Sequence, residues 1–337
     1  MFRPELFILG LFLFVFVNYC RINGDVTGQQ GELKTTLAVA GRHIPAAWAI
    51  DLRVRPEWRF RGLGVALVET LLRDNTVVLA LGVSEDARRM FSRQGWFING
   101  RIDAYQKPVA PRGMCMAESV RRGPARWAVK LLFHAYRLID TTAIRLRRHK
   151  GRVVELARFD RDIEPVLAKR ARHATVSCKR SVEFLNWRFV DCPFAARYRI
   201  LACRDDEGVT GFAVVGTDFR KRKKLAVIEE LEGTRQARSL LVDFIVRSSY
   251  DGDVDAVYYE GLDNAVSQMM RRKLFFARDS GHFFAAFSSD DTLDEHLADR
   301  DNWSIRLADA DAGFGDHGGP GRSATPAELV PGERETG

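Results

Sequence analysis

Apolar residues come in short blocks along the first hundred positions, and the spacing inside the blocks switches between strand-like and helix-like. Residues 6–17 are almost wholly apolar and rich in Phe, Val and Leu, with the turn Ile22-Asn23-Gly24-Asp25 behind them. They read as a buried strand, assigned to residues 11–19, because the run is shorter than the roughly 20 apolar residues that a membrane helix needs. A membrane-associating or export segment and an altered start of the reading frame are the alternatives. Against export, Glu5 opposes the early cation Arg3, and no small-x-small cleavage site precedes Cys20. Residues 33–39 and 46–54 continue as strands, 62–73 as an amphipathic helix, 77–83 as a strand and 85–94 as a second helix. Gly95-Trp96-Phe97 ends that helix, and residues 101–107 return as a last strand. The class is α+β, with antiparallel strands first and a β-α-β-α-β run after them.

Residues 109–123, with Pro111, Gly113 and Gly123, read as a linker. A helical pattern follows over residues 125–148. Trp127, Leu131, Leu132, Ala135, Leu138, Ile139 and Ile144 form an apolar face, while Lys130, Arg137, Arg145, Arg147 and Arg148 form a basic one. Two readings stay open: a helix packing one domain on the other, its cations matched to the helix dipole, or an interfacial helix on anionic lipid.

From residue 153 to 288 the order of the first part repeats. Residues 225–231 correspond to the strand at 46–54, 234–248 to the helix at 62–73, 254–259 to the strand at 77–83, and 263–273 to the helix at 85–94. Ala265 falls where Ala87 does, and Phe275 where Phe97 does, so the chain reads as an internal duplication. The expected organisation is one domain over 1–108, a linker and basic helix over 109–150, a second domain over 151–312, and a Gly/Pro/Glu-rich disordered tail over 313–337.

Bulk properties change this picture only slightly. A chain of 337 residues can hold two cores. Its 52 Lys+Arg against 44 Asp+Glu leave a charge of +8, which suits an anionic cofactor, lipid headgroups or nucleic acid. No stacking motif or zinc module accompanies that charge, so nucleic acid is not an expected partner. The cysteines are odd in number and lack C-x-x-C spacing, which predicts reduced structural thiols, no metal site and a cytoplasmic protein, membrane-peripheral where residues 125–148 touch lipid.

Candidate chemistry concentrates in Arg59-Phe60-Arg61-Gly62-Leu63-Gly64, between a strand and a helix start. Free N–H groups at a helix N-terminus, glycines without a Cβ and two fixed cations make a cradle for a phosphate-bearing ligand. A dinucleotide site fits poorly. The loop from Val54 to Gly62 is too long for the tight first turn of that motif, and Leu67 fills its third glycine position. No Gly-Lys-Ser/Thr is present for a Walker loop.

The run Leu52-x-Val54-x-Pro56-Glu57-x-Arg59-x-Arg61-Gly62-Leu63-Gly64-Val65-Ala66, with Ala87, Phe91 and Gly95-Trp96-Phe97 downstream, resembles the acyl-CoA motif of the GNAT N-acyltransferases. The resemblance covers residues 11–108, and residues 153–288 resemble a second half without the cofactor loop. It implies an α/β GNAT-like fold, as two tandem GNAT-like domains whose mostly antiparallel mixed sheets are flanked by helices. The first is expected to be N-terminally incomplete, since the usual leading strand and two helices are not seen before residue 11.

The resemblance further implies that acetyl-CoA, or another acyl-CoA, rests its diphosphate on the N–H groups of Arg61, Gly62, Leu63, Gly64, Val65 and Ala66, with Arg59 nearby. Its pantetheine arm would lie along Leu52 and Val54, and the Val54 N–H would polarise the thioester. Asp51 is the candidate base. Many relatives use a Tyr to protonate the leaving thiolate where this chain has Phe91, and Ser84 stands where Asn is frequent, so Tyr105 is the candidate substitute acid. The implied reaction is acyl transfer to an amine. Asn186-Trp187-Arg188-Phe189 with Asp191-Cys192-Pro193-Phe194 resembles a segment of polysaccharide acyltransferases, pointing to an amino sugar or cell-envelope precursor as acceptor. A CoA-binding scaffold without activity and a Fem-type aminoacyl transferase are the alternatives.

Overall fold

Hairpin chemistry sets the first strands. Asn23-Gly24 and Ala40-Gly41 all take positive φ, the geometry of the tight turns that match strand twist. They join β2 (Phe14–Ile22), β3 (Asp25–Val39) and β4 (Arg42–Val54) into an antiparallel run, with β1 (Arg3–Ile8) paired antiparallel on the outer edge of β2. The computed structural model describes residues 3–8, 14–114, 124–173, 175–220 and 223–310. The apolar run at 6–17 therefore contributes to two strands rather than the one expected, and the expected tail at 313–337 lies outside the described residues, as does most of the linker.

The chain continues through α1 (Leu63–Asp74), β5 (Val77–Leu81), α2 (Glu85–Arg93), β6 (Phe97–Pro108) and α3 (Pro124–Leu146). Then come β7 (Arg152–Leu156), α4 (Glu164–His173), β8 (Val176–Cys178), α5 (Val182–Phe189), β9 (Tyr198–Asp205), β10 (Gly208–Arg220) and β11 (Lys223–Gly233). The last elements are α6 (Arg235–Tyr250), β12 (Ala256–Leu262), α7 (Asn264–Arg272), β13 (Phe276–Ser288), α8 (Asp294–Ala298) and β14 (Trp303–Arg306). The order β2–β6 recurs as β9–β13. Within each of these repeats one pair is parallel, β4 with β5 and β11 with β12, and β8 pairs parallel with β14 outside them.

The halves exchange their last strands within one continuous sheet. β5 pairs with β13, from Leu81↔Phe284 to Val77↔Ser288, while β12 pairs with β6, from Ala256↔Pro108 to Gly261↔Asp103. β6 and β13 also pair with each other at the seam. A boundary at residue 108 follows the repeat in sequence, but strand 97–108 completes the other half's sheet.

One face of the first half is covered by α1 and α2, whose Val68, Leu71 and Phe91 cluster with Trp96 against Val78, Ala80 and Ala285. The opposite face, with Trp48, Leu79 and Phe284, is covered by the C-terminal Leu293, Leu297, Trp303 and Ile305. Phe284 and Trp303 meet edge-on with centroids 4.7 Å apart. In α3 the buried side is Val129, Phe133 and Asp140, packed beside α6. Most of the apolar stripe read from the sequence, including Trp127, Leu131, Leu138 and Ile139, faces outward instead. The buried face carries the Lys107–Asp140 pair (2.8 Å) beside the apolar Val129 and Phe133.

Candidate functional site

β4 and β5 pair only from Ala46↔Val77 to Ala49↔Ala80 and then part. A bulge in β4 starts the divergence. Gln30 on β3 faces both Asp51 and Leu52, and Asp51 takes a left-handed φ of 52°. The buried Gln30 amide braces the bulge by donating to the carbonyls of Ile50 (2.8 Å) and Gly31 (2.7 Å). A side chain at Gly31 would not fit, since its Cβ would lie 2.8 Å from Ile50 Cγ1. Beyond the bulge the Arg55 N–H donates to the Thr27 carbonyl (2.9 Å). By the alternation of antiparallel pairing, the Val54 N–H and C=O then face away from β3 into the gap. Arg59 Nε donates to that carbonyl at 3.1 Å.

The mouth of the gap is the N-terminus of α1. Gly62 caps it at φ 82°, with no side chain bonded to the helix N–H groups, and the first intrahelical bond is Ala66 N–H to Gly62 C=O (3.0 Å). The N–H groups of Leu63, Gly64 and Val65 are thus open to a ligand. A Cβ on Gly62 would meet nothing within 4 Å. Arg61 lies over the Trp58 ring at 5.0 Å, and neither Arg59 nor Arg61 has a carboxylate partner among the described residues. Phe60, 95% exposed at φ 60°, caps the loop.

No family profile and no curated protein sequence matches the chain. Solved structures do. A GCN5-related N-acetyltransferase of Anabaena variabilis ATCC 29413 superposes with a TM-score of 0.59 at 10% identity, over 83% of this chain and 64% of its own. An Enterococcus faecalis V583 protein described as a probable N-acyltransferase gives 0.54 at 14% identity, over 81% of this chain and 62% of its own. The Saccharomyces cerevisiae N-myristoyltransferase with bound myristoyl-CoA gives 0.51 at 12%, over 81% and 69%. The chain has the GNAT fold. It spans less than two thirds of the length of the first two of these neighbours.

In this GNAT fold the strand beyond β5, β13, carries residues with no motif in the sequence. The Gly82 N–H, at the end of β5, donates to the Phe283 carbonyl (2.9 Å), and a Cβ on Gly82 would lie 3.6 Å from His282 Cδ2. His282 Nδ1 bonds Glu260 Oε1 on β12. Glu260 is buried, and its other oxygen accepts from the Tyr258 hydroxyl (3.0 Å) and Arg220 Nη1 (3.2 Å). Burial first, and then the Glu260 charge, push the Tyr258 hydroxyl well above its ordinary value, so it remains a donor. The bond to Glu260 holds one ring nitrogen of His282 and orients Nε2 on the other side of the ring. A lone His in an alternating strand carries no sequence signal, and the strand exchange that brings it beside β5 is invisible there.

Asp51, the candidate base, lies on the bulge, where it is exposed and paired with Arg53 (3.3 Å). Tyr105 does not reach the gap. β13 lies between β5 and β6, and the Tyr105 ring is buried with Tyr259 and Val266 beneath α6 and α7. Phe91, where the sequence resemblance led to the expectation of a Tyr, stacks on Trp96 at 4.1 Å and 9° as part of the core.

The second gap differs throughout. β11 and β12 part after Ile228↔Tyr259, and β14 enters beside β12, with Gly261 opposite Arg306. Arg306 bonds Asp263 (3.0 Å), while Arg180 bonds Glu230 (2.8 Å) and Asp309. Thr234 caps α6 by accepting from the Ala237 N–H (3.1 Å), and Asp263 caps α7 by accepting from the Val266 N–H (3.0 Å). A cavity of about 330 Å³ opens here, lined by Lys169, Arg170, Thr234, Arg238 and Asp263. Arg170 and Arg238 face carboxylates of this chain, Glu232 and Asp263, and its helix ends are already capped, so it lacks the features of the first cradle.

Burial pushes the Asp263 carboxyl up, but Arg306, the Val266 N–H and Arg238 together outweigh it and hold it at about 2. A carboxylate lowered in this way adds stability above its unfolded pKa and loses it as pH falls toward 2. Asp263→Asn keeps a cap but not the charge. It is expected to cost about 2 kcal/mol near neutral pH and to flatten the acid limb below about pH 4, read by urea unfolding across that range.

Proposed function

We propose that the protein is an acyl-CoA-dependent N-acyltransferase with one cofactor site, the cradle at Arg61–Ala66 and the gap beside it. The observation that carries this is the uncapped, left-handed Gly62 start of α1 opening onto the gap between β4 and β5. The diphosphate would take the free N–H groups with Arg59 and Arg61, and the pantetheine arm would run along Leu52 and Val54. The inward Val54 N–H would stabilise charge on the thioester oxygen. The acceptor amine attacks the thioester carbon, the new C–N bond forms, the C–S bond breaks, and CoA leaves as the thiolate. His282 Nε2 takes the amine proton, held in place by Glu260. We prefer it to Asp51, whose carboxylate is turned to solvent and to Arg53. An amino sugar or envelope-precursor amine, with acetyl-CoA as donor, is the substrate pair we propose; the myristoyl-CoA bound in one neighbour keeps longer acyl chains among the donors to test.

Calorimetric titration with acetyl-CoA and longer acyl-CoAs, followed by thiol release over a panel of amines, tests this reading. One binding site per chain and thiol release with at least one amine are expected. His282→Gln should keep acyl-CoA binding and lose thiol release by roughly 100-fold or more. Binding without release on any amine favours the CoA-binding scaffold, a reading that Phe91, lacking a hydroxyl, also supports. No binding of any acyl-CoA removes the site.

A further inference from the structure

Outside the cradle, the feature with the most unexplained surface is α3. At about 100° per residue its side chains sort into three stripes. The first anchors it. Val129 and Phe133 are buried, and Asp140 accepts from Lys107 Nζ (2.8 Å) and the Tyr250 hydroxyl (2.9 Å). Just past its end, Arg147 and His149 bond the buried Asp243 at 2.7 and 2.9 Å. The second stripe is apolar and faces outward. Trp127, Leu131 and Leu146 are 73%, 74% and 76% exposed, with Leu132, Leu138 and Ile139 also exposed among them. The patch continues off the helix to Leu274 and Phe276, both exposed. Tyr136 joins them to α3 through its hydroxyl on the Leu274 carbonyl (3.0 Å) and its ring against Phe276. The third stripe carries Lys130 and His134, with Arg137 on the same flank paired with Asp251; Arg145 near the helix end and Arg148 just past it are exposed, and Arg271 and Arg272 add charge beside Leu274.

We infer that this face of α3 is a docking surface for an anionic lipid bilayer. Large apolar side chains this close together expose on the order of several hundred Å², well beyond the scattered residues of an ordinary surface. Charge selects the occupant. Between residues 124 and 150 the one carboxylate is Asp140, which is buried, so the exposed length of the helix offers cations and no anions. A plane of acidic headgroups meets that row along its whole length, while Trp127 and the leucines enter the acyl boundary and the long basic side chains reach back to the headgroups. A second copy of this chain would set the same cations against themselves, which opposes a symmetric dimer through this face. The helix lies on the surface rather than crossing it: among the described residues no helix is long and apolar enough to span a membrane.

Co-sedimentation of the full chain with phosphatidylcholine vesicles, with and without phosphatidylserine, tests this. Binding to the anionic vesicles, weaker at high salt, is expected. Leu131→Glu combined with Leu138→Glu should abolish it, and because both side chains are exposed, the thermal unfolding midpoint should not move. Arg145→Gln with Arg148→Gln should weaken binding roughly thirtyfold. The inference is overturned if the wild-type chain ignores anionic vesicles, or if the Leu131/Leu138 variant still binds them as tightly as before. It is also overturned in favour of self-association if sedimentation velocity shows a dimer that those same substitutions dissolve.

Discussion

Gly62→Asp is expected to leave the protein folded while weakening acyl-CoA binding by roughly two to three orders of magnitude, the worth of one or two charge-assisted hydrogen bonds lost. The two effects separate for a structural reason. Gly62 sits at φ 82° with no atom within 4 Å of the point a Cβ would occupy, and Asp is among the side chains that tolerate the left-handed region. Asp is also a better helix cap than Gly, so α1 should gain a few tenths of a kcal/mol. The same carboxylate would occupy the N–H groups a phosphate needs and place a negative charge where the ligand brings its own. Calorimetric titration of acyl-CoA alongside thermal unfolding reads both quantities. Undiminished binding in Gly62→Asp and in Gly64→Asp would mean that the ligand does not use this helix end.

Residues 1–108 produced alone are expected not to fold, and the same holds for residues 109–337. The first piece loses β13 from the edge of β5, together with Phe284, Leu293, Leu297, Trp303 and Ile305 from one face of its core. At about 1.5–3 kcal/mol for each large apolar side chain, that loss matches the entire 5–15 kcal/mol stability of a typical domain. The second piece loses β6 from the edge of β12. Each fragment should be insoluble or lack a cooperative melt, whereas the two produced together should assemble into a soluble complex. A cooperative thermal transition from either fragment alone would contradict the exchange of strands.

Local features are legible in the sequence because local physics decides them. The helices at 63–74, 85–93, 235–250 and 264–272 lie within a few residues of their expected positions, each marked by its spacing. The glycine start of the first helix is legible too, since Gly62 and Gly64 stand between a strand pattern and a helix pattern. What is not legible depends on contacts distant in sequence. Nothing in residues 276–288 says that they pair with residues 77–81, so sequence alone does not place His282 beside Gly82. Tyr105 is misplaced by the same route, because the order of elements keeps its strand in its own half. The outward turn of α3 is not legible because its buried face, Val129, Phe133 and Asp140, meets partners distant in sequence such as Lys107 on β6.

The exchanged strands also set a timetable for synthesis. β5 is complete at residue 81, but its partner strand ends at residue 288, roughly 200 residues later. At about 5–20 residues per second, the first half waits some 10–40 s on the ribosome with an open apolar edge. During that wait a neighbouring nascent chain carrying the same β13 could fill the place. The protein should therefore depend on chaperone capacity during translation more than its finished stability suggests. Synonymous codons that slow residues 109–288 should lower soluble yield without altering the folded product.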